Sequence, residues 1–146
     1  MDALAELSFL VQNALAEIAG QLDLSIIQTR LLGVLRDRQP TMNELGRILG
    51  LDKSSISGLV ARAQRRGLVT RTVSAIDGRA FHVSITDTGR RLAEQGAVRF
   101  SERIEALTAG LPETDRQLLS QLAARIVAAE AHRRGIGPRG TAARVR

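Results

Sequence analysis

The sequence predicts a mainly α-helical fold that contains one small β-hairpin. Three observations lead to this prediction. Apolar residues recur at three- and four-residue spacing over most of the 146 residues. The period changes to alternation only once, between residues 68 and 85. Glycine or proline separates most of the helical segments, as expected where helices end. With 44% hydrophobic residues, the chain can bury the core of one domain of common size.

The flanks of the chain are predicted to be long helices. An apolar stripe extends from about Ala3 to Ala19, and its seven-residue step over Leu4, Val11 and Ile18 suits packing against another long helix. Two further stripes, over residues 87–109 and 113–132, predict two long helices at the other end. The last of these helices is expected to bury Leu118, Leu119, Leu122, Ile126 and Val127.

The middle of the chain is predicted to contain three helices, and the last two of them are joined by a tight turn. A first helix capped by Ser25 ends before Pro40. Thr41 then opens a capping box with the glutamate three residues later, which predicts a helix over residues 42–49. After a glycine, Asp52 or Ser54 can cap the next helix, which extends to about residue 66. Two short helices joined by a tight glycine-containing turn indicate a helix-turn-helix.

A hairpin follows this helix-turn-helix. Residues 68–73 and 81–85 are predicted strands, and the alternation over 81–85 indicates one buried face. Asp77-Gly78 is the turn signal between them. The fold class is therefore mainly α with a small β-hairpin wing: a winged helix-turn-helix core flanked by long helices.

The composition and the absence of certain motifs argue against several classes of function. The chain has no cysteine, which excludes disulfides and thiolate metal sites. His82 and His132 lie far apart in sequence, so we predict no metal site and no cofactor. No nucleophile elbow or phosphate-binding loop is present, so we predict no catalytic residue and no enzyme. Without a long apolar run or a basic N-terminal segment, we expect a cytoplasmic protein without a membrane partner.

The charge favours a polyanionic partner. The net charge is +6 and the isoelectric point is about 11.4. In a helix-turn-helix the second helix enters the major groove. We therefore predict that this helix contacts double-stranded DNA through Lys53, Ser54, Ser55, Ser57, Arg62 and Arg65. At the wing tip, Arg79 can enter the minor groove, with Asp77 holding it or forming the turn. The alternatives are a solvated helix face with an ordinary N-cap, and a solvent-exposed turn.

Five motifs occur in a specific order between about Leu24 and Gly89: TxxEL at 41–45, LDKSSIS at 51–57, RGLVxR at 66–71, DGR at 77–79 and ITxxG at 85–89. This series resembles the MarR family of transcriptional regulators. The resemblance implies a homodimer whose first and last two helices interlace, and which represses transcription from a pseudo-palindromic operator. It also implies release by a small ligand, often anionic or phenolic. Arg30, Arg36 and Arg38 are candidates to meet such a ligand, although a solvated helix face is the alternative.

The long stripes agree with a dimer because so small a core cannot cover them all. We expect the dimer interface to include Leu4, Leu7, Val11, Leu118, Leu122 and Ile126; the alternative is packing within one subunit. The chain then divides into an N-terminal dimerisation helix (1–22), a DNA-binding region (23–89), C-terminal dimerisation helices (90–134) and a basic tail (135–146), which we expect to be disordered.

One departure from the family pattern is Gly58, which stands where many members carry a larger, often basic residue on the recognition helix. This weakens one expected base contact. The competing functions are a constitutive or architectural DNA-binding protein without an effector, and a winged helix used for protein interaction.

Overall fold

The computed structural model describes residues 2–73, 78 and 81–136, and in this part of the chain it contains six helices and one antiparallel hairpin. This confirms the predicted fold class. The elements are α1 (Asp2–Gln21), α2 (Ile26–Asp37), α3 (Met42–Leu49), α4 (Lys53–Arg65), β1 (Val69–Val73), β2 (Phe81–Ile85), α5 (Asp87–Leu107) and α6 (Glu113–Arg133). Within the described ranges, no helix combines the length and the apolar character needed to cross a membrane. The predicted tail from residue 137 onward lies outside the described residues.

Side-chain caps fix where the central helices begin. Ser25 and Thr41 each form a reciprocal capping box, with Gln28 and Glu44 respectively. Of the two cap candidates for α4, the structure selects Asp52, whose carboxylate accepts from the backbone N–H of Ser55. These contacts satisfy N–H groups that have no partner within a helix, so they set the boundaries that the sequence predicts.

The core lies where α2, α4 and the base of the hairpin meet. Leu31, Leu35 and Leu45 are almost completely buried, as is the predicted inner face of α4. Val69 and Val83, which pack against these helices, attach the wing to the same core. The helix-turn-helix and the wing therefore form one packed unit whose outer face is polar.

The hairpin differs from the prediction in two ways. Phe81 is 45% exposed, so the buried face of β2 is confirmed at Val83 but is wrong at Phe81. The reason is position: Phe81 lies at the end of the strand that is farthest from the helices. In addition, the outer edge of β2 is paired, since the Val83 N–H donates to the Pro40 carbonyl at 2.9 Å and Thr41 bridges His82. This additional backbone pairing links the start of α3 to the wing.

The last helix does not pack as an ordinary core helix. No residue of α6 is buried in the described chain, and the exposed fractions of Leu118, Leu122 and Ile126 are 53%, 44% and 64%. Leu119 and Val127 are exposed as well. The expectation that α6 buries these residues is therefore wrong for a single chain, because the elements of the described chain leave much of this face uncovered. The alternative of packing within one subunit fails for this helix.

Gly89 joins the wing to α5, and we predict that it tolerates no side chain. A Cβ at this position would lie 2.2 Å from the carbonyl oxygen of Leu68 and 2.9 Å from Cγ1 of Ile85. Because a backbone atom cannot yield as a flexible side chain does, Gly89→Ala should lower the free energy of unfolding by about 2–3 kcal/mol. Urea denaturation measures the loss.

The matched control is Gly20→Ala in α1, where a Cβ would meet nothing within 4 Å. This substitution should leave the stability unchanged or raise it by up to about 1 kcal/mol. Equal stability of the two variants would contradict the assigned packing of Gly89.

Candidate nucleic-acid interface

The outer face of α4 presents the residues predicted to bind DNA. The inner face of this helix is buried through Ile56, Leu59, Val60 and Ala63. All six predicted contact residues on α4 are exposed: Lys53, Ser54, Ser55, Ser57, Arg62 and Arg65. The packing of the core therefore fixes which face of the helix is available to a partner.

Asp52 organises the first turn of α4. Its carboxylate accepts from the hydroxyls of Ser54 (2.9 Å) and Ser55 (2.8 Å) and from the backbone N–H of Ser55 (2.8 Å). Each hydroxyl has one proton, so a serine that donates to Asp52 cannot also donate to a phosphate oxygen. Ser54 and Ser55 are thus part of the helix cap. The sequence did not predict this role, because Asp52 and Ser54 were equally good candidates for the N-cap residue.

These hydrogen bonds also stabilise the ionised form of the Asp52 carboxylate. The N–H and hydroxyl groups of Ser55, followed by the hydroxyl of Ser54, lower the pKa of Asp52 to about 2. The carboxylate is therefore ionised at neutral pH, at the helix end where the backbone dipole favours a negative charge. It is also a negative charge on a face that is otherwise basic, and its donors keep it turned toward the helix.

The arginines near the end of α4 have different roles. Arg66 donates to the carboxylate of Asp23 at 3.3 Å and to the side-chain oxygen of the buried Gln28 at 3.2 Å, so it joins α4 to the α1–α2 junction. Arg62 and Arg65, in contrast, form no ion pair with any other described residue. Two guanidinium groups on this face are thus available to a polyanion.

The predicted wing-tip residues, Asp77 and Arg79, lie outside the described residues. The strands that lead to them are described, and β1 pairs with β2 from Val69↔Ile85 to Val73↔Phe81. The contacts of the tip therefore stay predictions. In the described ranges, no three histidine, aspartate or glutamate side chains come together as metal ligands would.

A second site, which the sequence did not locate, is a cavity of about 770 Å³ between α2, α5 and the end of α6. Its walls are mainly apolar and include Leu32, Leu92, Phe100 and Ile126. Its polar lining combines four arginines with two carboxylates: Arg30, Arg36, Arg38, Arg134, Asp37 and Glu130. The three arginines that the sequence named as ligand candidates therefore all face this cavity.

Two of the cavity arginines are paired. Arg36 contacts Asp37 at 3.2 Å, and this hydrogen bond raises the pKa of the guanidinium. Arg134 pairs with Glu130 at 2.5 Å. Arg30 and Arg38 have no such ion pair among the described residues. The cavity thus has a positive surplus beside an apolar wall.

A helix-turn-helix with a hairpin wing and an available basic helix face defines a winged-helix DNA-binding protein. Residues 22–80, which contain α2, α3, α4 and β1 but not β2, match the family model described as MarR family. This part of the chain is thus similar to the MarR family, whose members are DNA-binding transcriptional regulators. A comparison with curated protein sequences gives no match.

Solved structures share this architecture over most of the chain. A MarR-family transcriptional regulator from Rhodococcus sp. RHA1 has a TM-score of 0.74 and 24% identity, covering 85% of this chain and 89% of that chain. CouR from Rhodococcus jostii RHA1, bound to p-coumaroyl-CoA, has a TM-score of 0.71 and 25% identity, with coverage of 85% and 88%. The MepR–DNA complex of S. aureus has a TM-score of 0.70 and 22% identity, with coverage of 87% and 95%. These likenesses extend beyond residues 22–80 to the flanking helices.

We predict that Asp52→Ala lowers the melting temperature (Tm), because α4 loses its cap, whereas Asp52→Asn keeps most of it, because asparagine is also a good N-cap. The folded pKa of Asp52 is depressed from 3.8 to about 2, so its ionic contribution is fully present above pH 3.8 and is lost as the pH falls through 2. The Tm difference between wild type and Asp52→Ala should therefore be constant above about pH 5 and shrink below about pH 4. Circular dichroism melts over this pH range measure it, and a gap that grows toward low pH would show that the carboxylate is not the cap.

Proposed function

We propose that this protein is a homodimeric repressor that binds a pseudo-palindromic operator and is released by a small anionic ligand. The observation that carries the proposal is the unburied apolar face of α6, which lies on the same chain as a complete winged helix. A winged helix reads one half-site, and a second copy of the chain would supply the other. The similarity of residues 22–80 to the MarR family supports the class of function. The dimer, the operator symmetry, the sign of regulation and the ligand are proposed in addition.

The proposed interface joins the two ends of the chain. On α1, Leu4 is 62% exposed, while Leu7 and Val11 are half-buried. On α6, Leu118, Leu122 and Ile126 are exposed at four-residue spacing and thus form one stripe. We propose that residues 1–22 and 90–134 of two copies interlace so that these stripes cover one another. An interface of this kind is large and apolar, as in obligate dimers.

The proposed DNA contacts divide by chemistry. Lys53 and Arg65 are cationic, so they would bind the negatively charged phosphate oxygens of the DNA backbone. Arg62 and Ser57 lie on the outer face of α4, from which base edges are reached. Ser54 and Ser55 would contact DNA through their oxygen atoms or after releasing Asp52, and the wing pair, Asp77 and Arg79, is proposed for the minor groove.

The cavity supports regulation by a ligand with an anionic group and an apolar body. Its volume of about 770 Å³ is in the range of small-molecule sites. Arg30 and Arg38 would receive the anionic group, and Phe100 with the leucines would pack against the body. Two similar structures hold compounds of this character: CouR is bound to p-coumaroyl-CoA, and NadR is in complex with 4-hydroxyphenylacetate.

The position of the cavity supports a mechanism of release. It lies between α2, which belongs to the DNA-binding region, and α5 and α6, which belong to the proposed dimer region. A ligand that binds one arrangement of these helices more tightly than another shifts the population toward it. If the favoured arrangement changes the spacing between the two recognition helices, they no longer match successive major grooves, and the operator is released.

The direct experiment is fluorescence anisotropy of the protein on DNA from upstream of its own gene and on scrambled DNA, over a series of salt concentrations. We expect selective binding of two chains per site, and loss of binding when a ligand is added. Equal and steeply salt-dependent binding to both DNAs, with no effect of any ligand, would favour the architectural alternative instead. Binding to neither DNA would favour a protein-interaction role.

For the dimer, we predict that Leu122→Glu produces monomers. A charge placed in a buried apolar interface carries a desolvation cost that no partner group offsets. Light scattering should then give the mass of one chain, 15.8 kDa, rather than twice that mass. The control is Val73→Glu on β1, a valine that is 57% exposed and lies on the wing; it should remain dimeric. A Leu122→Glu variant that keeps the wild-type mass would remove α6 from the interface.

For the ligand, we predict that Arg38→Ala weakens binding of 4-hydroxyphenylacetate about tenfold, because one charge-assisted contact to the carboxylate is lost. Isothermal titration calorimetry measures the affinity. The control is Arg47→Ala, an exposed arginine of α3 that does not line the cavity and should bind as wild type does. Equal affinity of both variants would show that Arg38 does not receive the anionic group.

A further inference from the structure

Gly58 lies at the middle of the outer face of α4. Residues of a helix are spaced by about 100°, which places position 58 on the side opposite the buried Leu59, Val60 and Ala63. A glycine inside a helix destabilises it relative to alanine by roughly 0.5–1 kcal/mol. Its presence on an outer face, where no core packing requires it, therefore needs a physical reason.

The space above Gly58 is occupied by the guanidinium of Arg62. A Cβ at position 58 would lie 3.2 Å from Nη1 and 4.0 Å from Cζ of Arg62. Long side chains in helices point toward the preceding turn, so the side chain of Arg62 lies over Gly58, which is one turn earlier in the helix. The separation of 3.2 Å is tighter than ordinary van der Waals contact, so the guanidinium would have to shift by a few tenths of an ångström to admit a side chain at position 58.

Two other helical glycines in the described chain, Gly46 and Gly96, are explained differently. A Cβ on Gly46 would approach the carbonyl oxygen of Leu51 at 3.1 Å, and a Cβ on Gly96 would approach Leu22 at 3.3 Å. Both lie where helices pack closely, and both are buried. Gly58 differs because the described atoms near its Cβ position belong only to a charged, exposed side chain.

The consequence concerns where the positive charge lies on the recognition helix. Folding back over Gly58 moves the guanidinium of Arg62 toward the N-terminal half of α4, which is the end that meets base edges in the major groove. A guanidinium there can donate two parallel hydrogen bonds to guanine. A guanidinium shifted by a side chain at position 58 would keep its charge, but its alignment for a base contact would change.

We propose that Gly58 is a positioning residue for sequence recognition: it leaves the space in which the Arg62 guanidinium lies against the DNA-facing side of α4, aligned for a base contact. This inference rests on the proposed function, since it requires selective DNA binding. Arg62 is the residue that touches DNA, and Gly58 acts through it. In this account the small residue at position 58 does not simply weaken a contact, because it allows one from position 62.

The test uses four variants of the full chain: Gly58→Ala, Arg62→Ala, the double variant, and the control Gly20→Ala, a helical glycine of α1 with open space around it. A preferred duplex is first selected from random-sequence DNA with the wild-type protein. Affinity for that duplex and for scrambled DNA is then measured by anisotropy at one salt concentration, and thermal melts are recorded for each variant.

We expect Gly58→Ala to raise the Tm by about 2–5 °C, because alanine favours the helix. We also expect it to lower the selectivity ratio by about three- to tenfold while affinity for scrambled DNA stays unchanged, because the charge is retained. Arg62→Ala should lower the ratio by about five- to hundredfold. The double variant should match Arg62→Ala, since position 58 acts only through Arg62. Gly20→Ala should bind as wild type does.

Two results would overturn the inference alone: wild-type selectivity in Gly58→Ala, or independent, additive losses in the double variant. Gain of stability with loss of selectivity is an outcome that a purely structural role for Gly58 cannot produce. A wild-type protein that selects no DNA sequence would overturn the proposed function and this inference together, so the two failures are distinguishable.

Discussion

The apolar face of α6 is the constraint on which the rest of the architecture depends. Leu118, Leu122 and Ile126 form a stripe that stays largely exposed in the described chain. Burying one such side chain contributes about 1.5–3 kcal/mol, so a stripe of several is a strong drive toward association. When a second copy covers it, the positions of the two winged helices are set by the same contacts. In this account, the geometry of DNA recognition follows from the geometry of α6.

The recognition helix is connected to both ends of the chain by specific contacts. Arg66 ties the end of α4 to Asp23, at the junction that follows α1. Thr86 donates both to the Leu68 carbonyl through its N–H and to Gly67 through its hydroxyl, which fixes the start of α5 against the base of the wing. Because α4 is linked to α1 and α5 in this way, a change in the arrangement of the long helices would be transmitted to it. The cavity borders α2, α5 and α6, so the proposed ligand would act at the place where such a change would begin.

The sequence predicted what local chemistry determines. The caps at Ser25 and Thr41 and the stripe on α4 depend on residues within one or two helical turns, so spacing alone revealed them. Features that depend on distant segments were not predictable: the pairing of residues 39–41 with β2, the exposure of Phe81, and a cavity whose lining residues lie more than one hundred positions apart in the chain. The hydrogen bonds from Ser54 and Ser55 to Asp52 depend only on local residues. They were nevertheless not predicted, because Asp52 and Ser54 were equally suitable as the N-cap of α4.

The measurement that tests the central claim most directly is urea denaturation at two protein concentrations, about 0.2 and 20 μM, with folding followed by circular dichroism. If the stripe on α6 is covered by a second copy and the fold depends on it, the unfolding midpoint should rise with protein concentration, because association and folding are then one equilibrium. A midpoint that is independent of concentration, for a chain that light scattering shows to be monomeric, would contradict the claim, since α6 would then be stable with its apolar face in water.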